Sequence, residues 1–220
     1  MATAVEQIGL FPLGVVLFPG TYLPLHIYEP RYRQLIGECL SSRLPFGINL
    51  LDEGDLHLIG CTAEVEGIVR RYDDGRLDIV VVGRRRYVLQ SFDDQSKPYF
   101  VGTIEYIEDR PDGAARLESY RHCVTLYNAL VERVFPNPDR LKLPTDAIPE
   151  IKGSTPSFFM AQKAGLKLVE KQVVLSLQSE NERLEFIAQH LAELLPRLDR
   201  AEELYRIART DGYLTPDRQL

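Results

Sequence analysis

The sequence predicts an α+β fold. A β-rich lobe over residues 1–110 forms a small, partly closed barrel with one early helix, a helical lobe follows over 114–210, and 211–220 is a loosely held tail. Three observations predict this. Apolar, β-branched runs alternate with turn signals through the first half. Composition breaks at Asp109-Arg110-Pro111-Asp112-Gly113. Beyond that break, apolar residues recur every three or four positions, the period of a helix.

The elements follow in order. Leu10 to Ile27 reads as a strand, a tight Phe18-Pro19-Gly20 turn and a second strand. Glu29-Pro30 then opens a helix, because proline at the first helical position loses no needed donor. Tyr32, Leu35, Ile36 and Cys39 form its apolar face, with Cys39 a small core residue. Asp52, Glu53 and Asp55 mark a solvated turn. Val65–Arg71 and Arg76–Val82 are strand-like runs joined by Asp73-Asp74-Gly75, and Asp-Gly between apolar runs is a hairpin signal. Gly83 is placed to mark a bulge. Tyr87–Phe92 and Tyr99–Ile107 supply two more strands.

In the second half, Leu117, Tyr120, Val124, Tyr127, Val131 and Val134 share one helix face. Five prolines between Pro136 and Pro156 impose a long irregular connection. Thr155-Pro156 opens a helix that carries Phe158 and Phe159 and closes near Gly165. Val169–Gln178 is a short helical run. Ser179-Glu180-Asn181-Glu182 has the form of a reciprocal capping box. Leu184, Ile187, Leu191, Leu194 and Leu198 line one face of the last helix, which Pro196 is expected to kink or end.

Composition narrows the function classes. The 220 residues are 45% hydrophobic and 26% charged, ordinary for a soluble globular chain, and the net charge of −6 argues against a general polyanion binder. The three cysteines, 39, 61 and 123, are widely spaced with no CxxC, so a reducing cytoplasm is expected rather than a disulfide framework. The N-terminal run lacks a basic lead and is broken by Pro12 and Gly14, so neither a signal peptide nor a membrane span is expected.

Three blocks carry a family resemblance. FPLGVVLFPGTYLPLHIYEPRYRQLI resembles the opening of the Lon protease substrate-binding (N-terminal) domain. IGCTAEVEGIVRRYDDGRLDIVVVGRRRYVL follows the same family through Gly60, Ala63, Asp74-Gly75-Arg76, Gly83 and Arg86-Tyr87. KQVVLSLQSENERLEFIAQHL is similar to its last block, before a terminal helix. The resemblance implies a stand-alone recognition domain whose β lobe is like the pseudouridine-synthase-and-archaeosine-transglycosylase (PUA) barrel. In that family the ATPase and the Ser-Lys peptidase occupy separate, later domains.

The sequence itself assembles no enzyme. GxxxxGK[ST], GxSxG and HExxH are all absent. His57 with Cys61, and His122 with Cys123, lack the two close ligand pairs of a zinc site, so no metal and no cofactor are expected. Glu64 and Glu66 share a strand face and read as solvent-facing. Arg84 and Arg86, which strand alternation puts on one face, are candidates for anion contact; the plainer alternative pairs Arg86 with a carboxylate at the core edge.

The better candidate for polypeptide contact is the start of the first helix. Arg31, Arg33 and Gln34 lie off its apolar face, with Phe18, Tyr22 and Tyr28 as nearby aromatics, although the plainer reading of Phe18 and Tyr28, each taken alone, is core. The expected partners are unfolded or extended polypeptides, or a partner protein, held at a strand edge or an apolar groove with the helical lobe as one wall. An RNA-binding PUA-like module is a rival that the charge weakens. A small hydrolase built on Cys39 and His26 is a third, weaker reading.

Overall fold

A computed structural model describes residues 5–110 and 115–210. The Pro111–Gly113 break and the 211–220 tail lie outside the described residues. The strands are β1 (Val5–Gly9), β2 (Tyr22–Ile27), β3 (Phe46–Asp52), β4 (Asp55–Arg71), β5 (Leu77–Asp93) and β6 (Val101–Tyr106). The helices are α1 (Pro30–Ser42), α2 (Leu117–Val134), α3 (Pro156–Ala161), α4 (Leu168–Ser176) and α5 (Glu180–Thr210). The α+β class therefore holds.

The sheet is antiparallel in the order β1-β6-β5-β4-β3, with β2 also paired to β5. It is not closed into a barrel, because its end strands β1 and β3 do not pair. Instead Leu10 and Leu13 make isolated bridges to Gly47 and Leu50. Phe11 N–H donates to Gly47 O (2.7 Å), Leu13 N–H to Asn49 O (3.0 Å) and Leu51 N–H to Leu13 O (2.9 Å). These bonds replace the first strand expected within Leu10–Leu17. Pro12, which has no N–H, interrupts any ladder there.

The Asp-Gly hairpin forms where turn chemistry places it. Gly75 takes φ +86° and the loop closes through Tyr72 N–H to Arg76 O at 3.0 Å. The expected Arg76–Val82 and Tyr87–Phe92 strands are one continuous strand, β5. Its irregularity is the bulge at Gly83: Gly83 faces Ala63 and Arg86 faces Cys61, so Arg84 and Arg85 together oppose Thr62. The Thr62 hydroxyl fills the gap, accepting from Arg85 N–H (3.0 Å) and donating to Arg85 O (3.2 Å).

α1 buries Tyr32, Leu35, Ile36 and Cys39 against Phe46, Ile48, Cys61, Ile79 and Val81, the main core of the β lobe. A smaller cluster holds Ile8, Leu10, Tyr87, Leu89 and Ile104. Within it the Tyr87 hydroxyl donates to Asn49 Oδ1 at 2.5 Å, and Asn49 Nδ2 donates to His57 O at 3.0 Å. Tyr87→Phe would leave that buried Asn49 oxygen without a donor. The expected loss is about 1–3 kcal/mol, read as a lower urea midpoint; an unchanged midpoint would mean solvent reaches the amide.

In the helical lobe α2 buries Tyr120, Cys123, Val124, Tyr127, Leu130 and Val131 beneath α5. Leu117 and Val134, expected on that face, are exposed at the two helix ends. The Pro136–Pro156 connection is irregular apart from a 3-10 turn at Pro138–Arg140 and an isolated antiparallel bridge between Ile151 and Ser154.

Two helix expectations are corrected. Only half of the capping box forms: Glu182 N–H reaches Ser179 Oγ at 3.5 Å, while the Glu182 carboxylate pairs with Arg110. And α5 runs through Pro196 to Thr210. Proline there frees the Ala192 carbonyl, but both residues lie on the exposed side of the helix, where water can satisfy that oxygen.

Candidate functional site

The two lobes meet through the Phe18-Pro19-Gly20 turn. Phe18 is fully buried and stacks on Phe158 of α3, with ring centroids 5.6 Å apart. Ser154 Oγ donates to Pro19 O at 2.7 Å. Gly20 takes φ +72°, and a Cβ there would lie 2.5 Å from that of Ser154, so the turn needs glycine for both its conformation and its close approach.

Behind the turn, charged groups join the strands to the helices. Arg86 of β5 is only 4% exposed; it donates to Leu175 O (2.8 Å) and Leu177 O (2.6 Å) and pairs with Asp109. Arg183 of α5 is fully buried and binds Asp109 Oδ2 at 2.5 Å and Glu180 Oε2 at 2.9 Å.

This junction leaves a groove of about 540 Å³, within the usual range for ligand clefts. Its sheet side is Gly20–Tyr22, Glu66, Val82 and Arg84, and its helical side is Ile151, Lys152, Phe159, Gln162 and Lys163. The local sequence explains the aromatic wall. Adjacent helix positions point apart, so Phe158 enters the core while Phe159 faces the groove. Tyr22, at the start of edge strand β2, is 57% exposed. Gln162 Nε2 donates across the gap to Tyr22 O at 3.4 Å.

The residues singled out from the sequence divide. Tyr22 and Arg84 line the groove. Phe18 does not reach solvent; it follows the core alternative. Tyr28 is exposed, stacks on His26 (5.9 Å between centroids) and lines a separate pocket of about 230 Å³ with Phe11, Leu13, Pro24 and Tyr32. Arg31 pairs with Glu29 at 2.8 Å and sits 4.5 Å over the Tyr32 ring. Arg33 donates to Asp74 O at 2.7 Å, and Gln34 to Glu38 Oε1 at 2.8 Å. Arg33 ties α1 to the Asp74 hairpin, while Arg31 and Gln34 make contacts local to the helix; none of the three lines the groove.

Arg84 and Arg86 do not share a face. The bulge turns Arg84 outward, onto Glu64 Oε2 at 2.7 Å, while Arg86 points into the lobe junction. Sequence reasoning missed Glu66 as a lining residue, and Val82, Ile151, Lys152, Phe159, Gln162 and Lys163 with it. The Phe158-Phe159 pair was the one available signal, since a helix buries one of two neighbours.

The chemistry on offer is contact chemistry. Burial pushes the Cys39 thiol up to about 11, helped by the nearby Glu38 charge, and lifts Cys61 and Cys123 to about 12, so all three stay protonated at neutral pH. His26 Nδ1 lies 2.5 Å from Asp78 Oδ1, so the ring partner of His26 is a carboxylate and not the Cys39 thiol. Among the described residues no group of three or more His, Cys, Asp or Glu side chains could hold a metal ion, and no helix is long and apolar enough to cross a membrane.

Residues 7–193 match the family model of the ATP-dependent protease La (LON) substrate-binding domain. The chain belongs to that family. A Lon protease of Dictyoglomus thermophilum is 25% identical over 210 residues, covering 90% of this chain and 26% of the relative. One from Parabacteroides distasonis is 29% identical over 121 residues, 50% of this chain and 14% of the relative. The chain thus spans about a quarter or less of these proteases and matches the substrate-binding part.

Two solved structures share the fold of this LON domain. A Lon N-terminal domain protein from Xanthomonas campestris superposes with TM-score 0.62 at 24% identity, over 82% of this chain and 95% of the other. The N-terminal domain of Mycobacterium avium complex Lon protease gives 0.63 at 16%, over 86% and 100%.

Proposed function

We propose that this chain is a non-catalytic polypeptide-binding module that grips extended or unfolded segments, or a partner protein's, in the groove between its sheet and its helices. The observation that carries this is the groove itself: a shaped cleft at a lobe junction, with exposed Tyr22 facing Phe159 and charged groups on both walls. Membership of a substrate-binding domain family supports it. The raised thiols and the missing nucleotide and protease motifs leave recognition as the chemistry its residues offer.

Strand addition is the less favoured mode of grip. Among the described residues β2 has only β5 as a ladder partner, but Pro24 takes a donor out of its outer edge, a common device against edge pairing. The PUA-like description of the β lobe belongs to the same proposal, supported by the Leu10 and Leu13 bridges that draw the sheet ends together. RNA binding draws little support, because Arg86 is committed to Asp109 and Arg84 to Glu64. A cytoplasmic setting suits three buried, unpaired thiols.

Fluorescence anisotropy with a reduced, permanently unfolded model protein tests the reading. Tyr22→Ala removes an exposed ring with little fold cost and is expected to raise Kd about tenfold, the scale of an aromatic anchor. Equal binding by the variant and the parent would remove the groove from the account.

A further inference from the structure

The chain has six lysines, and their partners divide them. Lys97 holds Glu38 at 3.2 Å and Lys142 holds Glu132 at 2.5 Å. Lys152 and Lys163 line the groove, and neither has a carboxylate within ion-pair distance among the described residues. Lys171 of α4 lies close enough to Lys163 to feel its charge. Burial lowers its pKa most, and the Lys163 charge adds to that. The opposite wall is different: Arg84 is held between Glu64 at 2.7 Å and Glu66 at 3.9 Å. A chain of net charge −6 thus has unneutralised cations on one wall of its groove, beside the rings of Tyr22 and Phe159.

We propose that the groove selects extended polypeptide segments in which an acidic residue lies next to or near an aromatic or large aliphatic one. The carboxylate faces Lys152 and Lys163, and the apolar side chain lies between Tyr22 and Phe159. This deepens the polypeptide-binding reading and rests on it. Polypeptide is favoured over nucleic acid by Glu66, since a carboxylate on the sheet wall repels a continuous phosphate backbone but is indifferent to a single acidic side chain set against the helical wall. Lysine suits such a role: a flexible point charge meets a carboxylate at any of several positions along a loosely specified segment.

The test uses the full chain and short labelled peptides in anisotropy. One peptide carries Glu beside Phe, a second Gln in place of Glu, and a third Lys in its place; a single-stranded RNA is the fourth probe. The Glu peptide is expected to bind tightest, with the Gln version weaker by about three- to tenfold, the range set by two exposed ion pairs. Adding salt should narrow that gap. K152A/K163A should abolish the Glu-over-Gln preference, and circular dichroism confirms that the variant is folded.

Equal binding of Glu and Gln peptides that both still weaken with Tyr22→Ala would overturn the acidic selectivity and leave the groove reading standing. Binding of all three peptides that ignores Tyr22→Ala would remove both. RNA held more tightly than the Glu peptide, and lost in K152A/K163A, would overturn the proposal in favour of a polyanion site.

Discussion

Arg183→Met is expected to cost about 3–5 kcal/mol of stability, the scale of breaking a buried ion pair from one side. Arg183 is fully buried on α5 and satisfies groups from three other places at once. Its Nε donates to Ser157 Oγ (2.9 Å) in α3, its Nη1 to Leu177 O (2.8 Å) and Asp109 Oδ1 (2.9 Å), and its Nη2 to Asp109 Oδ2 (2.5 Å) and Glu180 Oε2 (2.9 Å). The guanidinium also lies 4.4 Å over the Phe158 ring. Methionine is unbranched and packs well but ends short of the guanidinium, so the loss combines charge and hydrogen bonding with a small void. What remains is Glu180, only 12% exposed, with its cation gone and Ser157 as a neutral partner. Urea denaturation reads the change as a lower midpoint at unchanged slope. A loss under about 1 kcal/mol would put this network in the class of solvated surface pairs.

The same network sets an acid dependence. Burial alone would raise the Asp109 carboxyl, but hydrogen bonds and charge from Arg183, joined by Arg86, outweigh it and hold the pKa below the ordinary value. A carboxyl depressed on folding stabilises the folded state above its unfolded pKa, near 3.9, and that contribution fades as pH falls through the lower, folded value. Stability should therefore fall with acid from about pH 4 downward. The Arg183→Met variant should show a flatter fall over the same window, because Asp109 has lost the stronger of its two partners.

What the sequence disclosed and what it hid follow one physical division. Features fixed within a few residues were legible. Asp74-Gly75 made its hairpin because glycine supplies the positive φ, and Tyr32, Leu35, Ile36 and Cys39 were buried because a helix puts them on one face. Features fixed by distant partners were not. Phe18 was open between contact area and core, and only Phe158, far along the chain, decides for the core. Arg84 and Arg86 looked coplanar until pairing with Thr62 inserted a bulge between them; Gly83 marked the place, but only the partner strand decides which side chains turn outward. Pro196 looked like a helix end because sequence does not say that Ala192 faces solvent. The groove was the least legible feature. Tyr22, Lys152 and Phe159 belong to an edge strand, an irregular loop and a short helix, and only lobe docking makes them neighbours.

Gly83→Ala tests that docking with a single methyl group. A Cβ at Gly83 would stand 2.2 Å from the Phe18 carbonyl oxygen and 3.1 Å from Leu17 Cγ. The first neighbour is backbone and cannot rotate aside. The turn is also tied to this residue from both ends, through Gly20 N–H to Gly83 O (2.8 Å) and Gly83 N–H to Thr21 O (3.0 Å). To admit the methyl, those bonds must stretch and Phe18 must draw back from Phe158, so the strain passes directly into the lobe junction. Overpacking of this kind is expected to cost about 2–3 kcal/mol. Gly67→Ala is the matched control: it lies in the neighbouring strand with nothing within 4 Å of an added Cβ, and its effect should stay within about 0.5 kcal/mol. Because Gly20, Thr21 and Tyr22 form one end of the groove, Gly83→Ala should also weaken polypeptide binding under conditions where circular dichroism shows it folded, and Gly67→Ala should not. If the two variants matched in both midpoint and affinity, the turn would not be what holds the lobes in register.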